Sequence, residues 1–208
     1  MNFFGHATVA CMRSEEPRFL LGAMLPDFGS MAGTRWGALL DPALARGVEL
    51  HHETDRLFHA APQFRVACAS ALTVLEPQGV SRATARAVGH VGSELLLDGL
   101  LSVDERARSA YQRSLRFALD ERVERSIISW KAASDAERLR TLLVRLHAAP
   151  LPEGYRDLDF VCDRLEHILA RRPRLSMKPD DRVPVRAWLA DAAHHLEREC
   201  DALLQVLR

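Results

Sequence analysis

Asp41-Pro42-Ala43-Leu44-Ala45-Arg46-Gly47-Val48-Glu49-Leu50-His51-His52-Glu53-Thr54-Asp55 reads as the opening of a helix. Asp41 is placed to cap the first free N–H groups, and Pro42 falls in the first turn, where a missing N–H is harmless. The rest of the chain reads the same way. Ala, Leu, Arg and Glu dominate, β-branched runs are scarce, and no sustained alternation of apolar and polar residues marks a strand. The expectation is an all-α chain with helices near 2–12, 17–26, 42–58, 62–76, 81–99, 103–129, 135–147, 155–171 and 181–206. Ser81 and Ser134 are further candidate caps, the latter with Glu137 placed for a capping box. Gly29, Gly33 and Gly37 punctuate an expected loop after Asp27. Pro150-Leu151-Pro152-Glu153-Gly154 is a second break, read as a loop within a single domain spanning 1–208, because about 55 residues beyond it would make a small core of their own.

The totals narrow the function classes. The 208 residues suffice for a real core, and 28 basic and 28 acidic side chains cancel. Zero formal charge supplies no global drive toward nucleic acid or anionic membrane. No apolar run approaches the roughly eighteen residues of a membrane span, and Met1 to Met12 lacks the positive lead of a signal peptide. Cys11, Cys68, Cys162 and Cys200 are scattered without a CxxC, as small hydrophobes in a reducing compartment would be. The expectation is a cytoplasmic protein with no nucleic-acid or membrane partner. GxSxG, GxxxxGK[ST], HExxH and GxGxxG are all absent.

The chemistry-bearing residues sit at helical spacing. His51 and Asp55 are i and i+4; His90, Glu94 and Asp98 are i, i+4 and i+8. Residues four apart share a helix face, so each run could aim imidazole nitrogen and carboxylate oxygen at one point. Two such helices crossing would make a mixed nitrogen and oxygen pocket suited to a divalent metal. Plainer readings stand beside these. His51 alone could be a capped surface residue, and His52 points about 100° away. Glu94 and Asp98 lie on an apolar helix and could be held by arginine. Asp27 could cap a turn, and His6 could be a satisfied core histidine. Gly89 and Gly92 weaken a helix by roughly 1 kcal/mol each, which close approach of a helix or ligand would explain. Arg171, Arg172, Arg174 and Lys178 form a basic cluster, either a solvated face or a receiver of phosphate or acidic protein.

In order along the chain, several segments resemble the bacterial acyl-carrier-protein phosphodiesterases (ACP hydrolases), a family related to the HD-type metal-dependent phosphohydrolases. They are Met1-Asn2-Phe3-Phe4-Gly5-His6, Leu21-Gly22-Ala23-Met24-Leu25-Pro26-Asp27-Phe28, Gly47 to Arg56 with its Gly-x-x-x-His-x-x-x-Asp pattern, Glu94 to Asp98, and Tyr155 to Phe160 followed by Ala170 to Leu175. The resemblance implies an HD-domain-like helical bundle with C-terminal helices. It implies a divalent metal, manganese first with Mg2+ or Fe2+ as alternatives, held by Asp27, His51 and Asp55, with Asp98 as a further acid and His6 close by. By the resemblance Asp27, His51, Asp55 and Asp98 would carry catalysis; His90 and Glu94 are additional candidate ligands from their helical spacing. The implied reaction cleaves the phosphodiester joining 4′-phosphopantetheine to a serine of holo acyl carrier protein, in fatty acid biosynthesis, with Arg171, Arg172 and Arg174 receiving the acidic carrier or the phosphate. The chain departs from the family at Glu94 (usually aspartate), Gly99 (usually histidine), Thr8 (usually histidine) and Gly29-Ser30-Met31 (usually basic). His90 is an extra imidazole that could replace the missing one. Two rival readings follow: an HD-like phosphohydrolase acting on another small phosphate ester, and a non-catalytic helical binding protein that keeps only the shape and holds Glu94 and Asp98 in arginine salt bridges.

Overall fold

The computed structural model describes residues 1–120, 128–149 and 151–207. The described chain is all-α apart from one small sheet. Its helices are α1 (Phe3–Arg13), α2 (Pro17–Ala32), α3 (Pro42–Ala60), α4 (Pro62–Leu75), α5 (Arg82–Leu101), α6 (Glu105–Ala118), α7 (Ala133–Ala148), α8 (Leu158–Leu169) and α9 (Arg182–Leu207). Strands β1 (Trp36–Leu39) and β2 (Ile128–Trp130) pair antiparallel, Trp36 opposite Trp130 and Leu39 opposite Ile128. No described helix is long and apolar enough to cross a membrane.

The chain divides into two compact units. The first comprises Met1–Arg56 and Leu101–Leu151; the second comprises Leu57–Leu100 and Pro152–Leu207. Both are discontinuous in sequence. The Leu151/Pro152 boundary falls in the proline-rich break read from the sequence, and the other boundaries fall within α3 and α5.

In the first unit α2 is the central element. Leu20, Leu21, Ala23, Met24, Leu25 and Phe28 are all fully buried, against α1, α6 and α7. Burying each large apolar side chain contributes roughly 1.5–3 kcal/mol, enough to hold Pro26 inside the helix, although proline gives no N–H to the carbonyl of Gly22. Phe3 packs on Phe28 with ring centroids 5.7 Å apart, and Tyr111 of α6 meets Phe4 edge-on at 5.6 Å. The second unit packs α9 on α4 and α8, with Trp188 buried and its indole N–H donated to Ser70 Oγ at 3.0 Å.

Two caps match the sequence reading. Asp41 Oδ1 accepts from the N–H groups of Ala43 and Leu44, and Ser81 Oγ accepts from Thr84 N–H. Three expectations are corrected. Ser134 caps nothing, because α7 already begins at Ala133 after extended Ala132. The glycine loop after Asp27 is helix as far as Ala32, stopped only where Gly33 adopts φ 63°. A side chain at Gly29 would lie 2.7 Å from the Trp36 ring, so this glycine makes room for tryptophan and does not break the helix. The helix expected over 103–129 ends at Ala118, and residues 128–130 are strand; residues 121–127 lie outside the described set. The all-α class holds, and the one small sheet, β1 with β2, is too short to show an alternating pattern.

Candidate metal centre

The first unit assembles its ligand group from three helices. His6 in α1, Asp27 in α2 and His51 in α3 each bring one ligand atom within 4.8 Å of the others. What lets them meet is the approach of α2 and α3. A Cβ at Gly22 would lie 2.1 Å from the carbonyl oxygen of Leu44, and one at Gly47 would lie 2.2 Å from that of Phe19. Only glycine permits this backbone contact. One turn beyond Gly47, His51 Nδ1 then reaches the carbonyl oxygen of Ala23 at 2.9 Å.

These hydrogen bonds set the imidazole tautomers. A carbonyl can only accept, so His51 carries its proton on Nδ1 and presents Nε2 as the lone-pair nitrogen. His6 Nδ1 lies 3.1 Å from Thr54 Oγ1. The Thr54 hydroxyl already donates to the carbonyl oxygen of Leu50 at 2.8 Å, so it accepts from His6 Nδ1–H and leaves His6 with the same tautomer. The two rings stack with centroids 3.9 Å apart. Two stacked imidazoles cannot both be charged cheaply. Burial first, and the neighbouring His6 second, push His51 down to about 3, so it stays neutral at physiological pH. Imidazoles presenting Nε2 beside a carboxylate are a donor set that suits a divalent cation, and the fixed Nδ1 partners are the support that metal-binding histidines usually have.

Asp55 completes the surroundings. Its Oδ1 lies 3.7 Å from His6 Nε2 and 2.8 Å from the amino group of Met1. His52 is exposed, its ring edge-on to His51 at 5.3 Å. It lines an open depression of about 450 Å3 with Pro26, Gly29, Ser30, Thr34, Arg35 and Trp36.

The second unit gathers His59, His90 and Glu94. The i and i+4 pair His90 and Glu94 meets as the spacing predicts, at 3.3 Å. Glu94 Oε1 lies 3.3 Å from the imidazole nitrogens of both His59 and His90. Asp98, one turn further along α5, is fully buried and is not part of this group. Gly89 and Gly92 are explained by helix contact: added Cβ atoms would lie 2.8 Å from Ala71 Cβ and 3.1 Å from the Trp188 ring. Gly99 faces the backbone of Tyr155, whose carbonyl oxygen would be 2.4 Å from a Cβ there. Arg171, Arg172 and Arg174 lie exposed in the turn after α8.

Two participants were not singled out in the sequence. His59 stands i+8 from His51 and i+4 from Asp55, so the spacing was present. Thr54 stands i+3 from His51, but nothing local reveals that its hydroxyl faces His6.

No family model matches the chain. No curated protein and no solved structure matches it either.

Proposed function

We propose that this protein is a metal-dependent phosphodiesterase whose centre is His6, Asp27 and His51 with Asp55 beside them, and whose substrate is holo acyl carrier protein. One observation carries the metal reading: two histidines from different helices each have Nδ1 held by an oxygen acceptor and are gathered with Asp27 within 4.8 Å. A divalent cation, manganese or else Mg2+ or Fe2+, would supply charge for the phosphoryl oxygens and acidify a water. Among the chain's own groups, Asp55 is placed to take a proton, since its carboxylate borders the histidine pair and remains partly open to solvent. Arg35 and His52, on the rim of the depression, are placed to orient a phosphate.

The substrate rests on the resemblance of Met1 to His6, Leu21 to Phe28, Gly47 to Arg56, Glu94 to Asp98 and Tyr155 to Leu175 to the ACP hydrolases. The exposed arginines after α8 would meet the acidic carrier. A second reading, hydrolysis of a small phosphate ester, is favoured by the size of the depression, which lies in the range of small-molecule sites.

Metal analysis of protein purified without chelator tests the centre. Metal lost in His51→Ala is the expected result; metal content unchanged by His51→Ala sinks it. Release of 4′-phosphopantetheine from holo carrier protein, against turnover of small phosphodiesters alone, separates the two substrates.

A further inference from the structure

We infer that His59, His90 and Glu94 form a second divalent-cation site, distinct in its residues from the first and suited to a borderline transition metal such as Zn2+. It goes beyond the reading above, in which the phosphodiester chemistry belongs to His6, Asp27 and His51.

The three side chains converge on one oxygen. His59 Nε2 and His90 Nε2 each lie 3.3 Å from Glu94 Oε1, and all three ligand atoms lie within 4.8 Å of one another. A charge-assisted hydrogen bond between imidazolium and carboxylate would shorten to about 2.7–2.9 Å. Donors arranged tetrahedrally around zinc at about 2.0–2.1 Å stand roughly 3.3–3.4 Å apart. Both contacts match the second spacing better than the first.

The surroundings hold the donors ready. The two imidazoles stack, centroids 4.9 Å apart at 16°, and Phe64 meets both edge-on at 5.2 and 5.3 Å. Phe58 packs against Phe64 at 4.3 Å and backs the same wall. Aromatic walls restrict ring rotation and shield the carboxylate from bulk water, which strengthens its attraction for a cation. The Glu94 side chain is 16% exposed, that of His59 33% and that of His90 49%. The group is therefore open on the His90 side, where an ion can enter and a fourth ligand from solution can complete the shell. Cys68 Sγ faces the carbonyl oxygen of Gly89 and is not among the gathered ligand atoms. Two imidazoles and one carboxylate, with no thiolate, favour zinc, cobalt or nickel over calcium or magnesium.

The test is calorimetric titration of the full chain with Zn2+, repeated with Co2+ by visible absorption. The variants are Glu94→Gln, His90→Ala, His51→Ala and, as a surface control, His194→Ala. The expected result is a Zn2+ site that survives His51→Ala and His194→Ala and weakens at least tenfold in both Glu94→Gln and His90→Ala. His90 is half exposed, so its alanine variant folds and keeps the comparison valid; circular dichroism verifies this. Zn2+ binding unchanged in His90→Ala and Glu94→Gln overturns the inference, as does a protein that takes up no Zn2+ beyond what His51→Ala removes. Loss of metal only in His51→Ala would leave the first centre standing while removing the second.

Discussion

Gly22 in α2 and Gly47 in α3 face each other so closely that a Cβ on Gly47 would lie 2.8 Å from Gly22 Cα. The contact decides where His51 stands, because the backbone of α2 then comes within reach of its Nδ1. Gly47→Ala should therefore act against its helix propensity. Alanine in an exposed helix would gain about 1 kcal/mol over glycine, whereas overpacking here costs about 1–3 kcal/mol. A net loss of stability in urea unfolding, with weaker metal binding, is the expected outcome. A stabilised variant would mean that the helices separate freely at this crossing.

Thr54 is a positioning residue for His6. Thr54→Val keeps the volume but removes the acceptor that sets the His6 tautomer. Metal affinity should fall about 10–100-fold, as is common when the partner of a ligating histidine is lost, while Thr54→Ser should restore it. Equal affinity in the valine and serine variants would show that the hydroxyl is idle.

The depressed His51 pKa makes the chelator-treated protein sensitive to acid. Between its unfolded value of 6.5 and its folded value of about 3, the unfolded chain binds a proton that the folded chain refuses. Stability therefore rises with pH across that window, by at most about 1.4 kcal/mol per unit from this group. The contribution is complete above 6.5 and is lost as pH falls. Urea midpoints of wild type and His51→Gln measured from pH 7 to pH 4 should converge as the pH drops. Parallel curves would remove His51 as the cause.

The cysteines should be inert in the folded protein. Burial pushes Cys68 up to about 12 and Cys162 up to about 11, and raises Cys11 and Cys200 as well. At pH 8 the thiolate fraction at Cys68 is on the order of one in ten thousand. Iodoacetamide followed by mass spectrometry should find Cys68 and Cys162 unmodified under native conditions and all four cysteines modified in denaturant. Fast native labelling of Cys68 would contradict its raised thiol pKa.

At Gly99 the backbone of Tyr155 fills the space a side chain would need. Gly99→His should lower the melting temperature and bring no gain in metal content. A stable variant with additional metal would show that Tyr155 can withdraw.

Much of the helical layout was legible because it is local. Asp41 and Ser81 cap where their positions indicate, and α3, α4 and α9 run close to their expected spans, since capping, proline placement and 3.6-residue periodicity act within a few residues. The same locality explains the errors. Gly29 looked like a loop residue because its partner, the Trp36 ring, is invisible to a reading of single residues. Ile128–Trp130 was absorbed into a helix because strand pairing with Trp36–Leu39 is a contact between distant segments.

The candidate centres divide in the same way. By itself the sequence determined the helical faces: His51 with Asp55, and His90 with Glu94, because a four-residue step is one turn. Only the tertiary structure decided which faces meet. It placed His6 and Asp27 beside His51, recruited Thr54 and His59, and left Asp98 outside the ligand group next to it. The reason is physical: periodicity fixes direction around one helix axis, whereas distance between helices is set by packing, here by glycines small enough to let backbones touch.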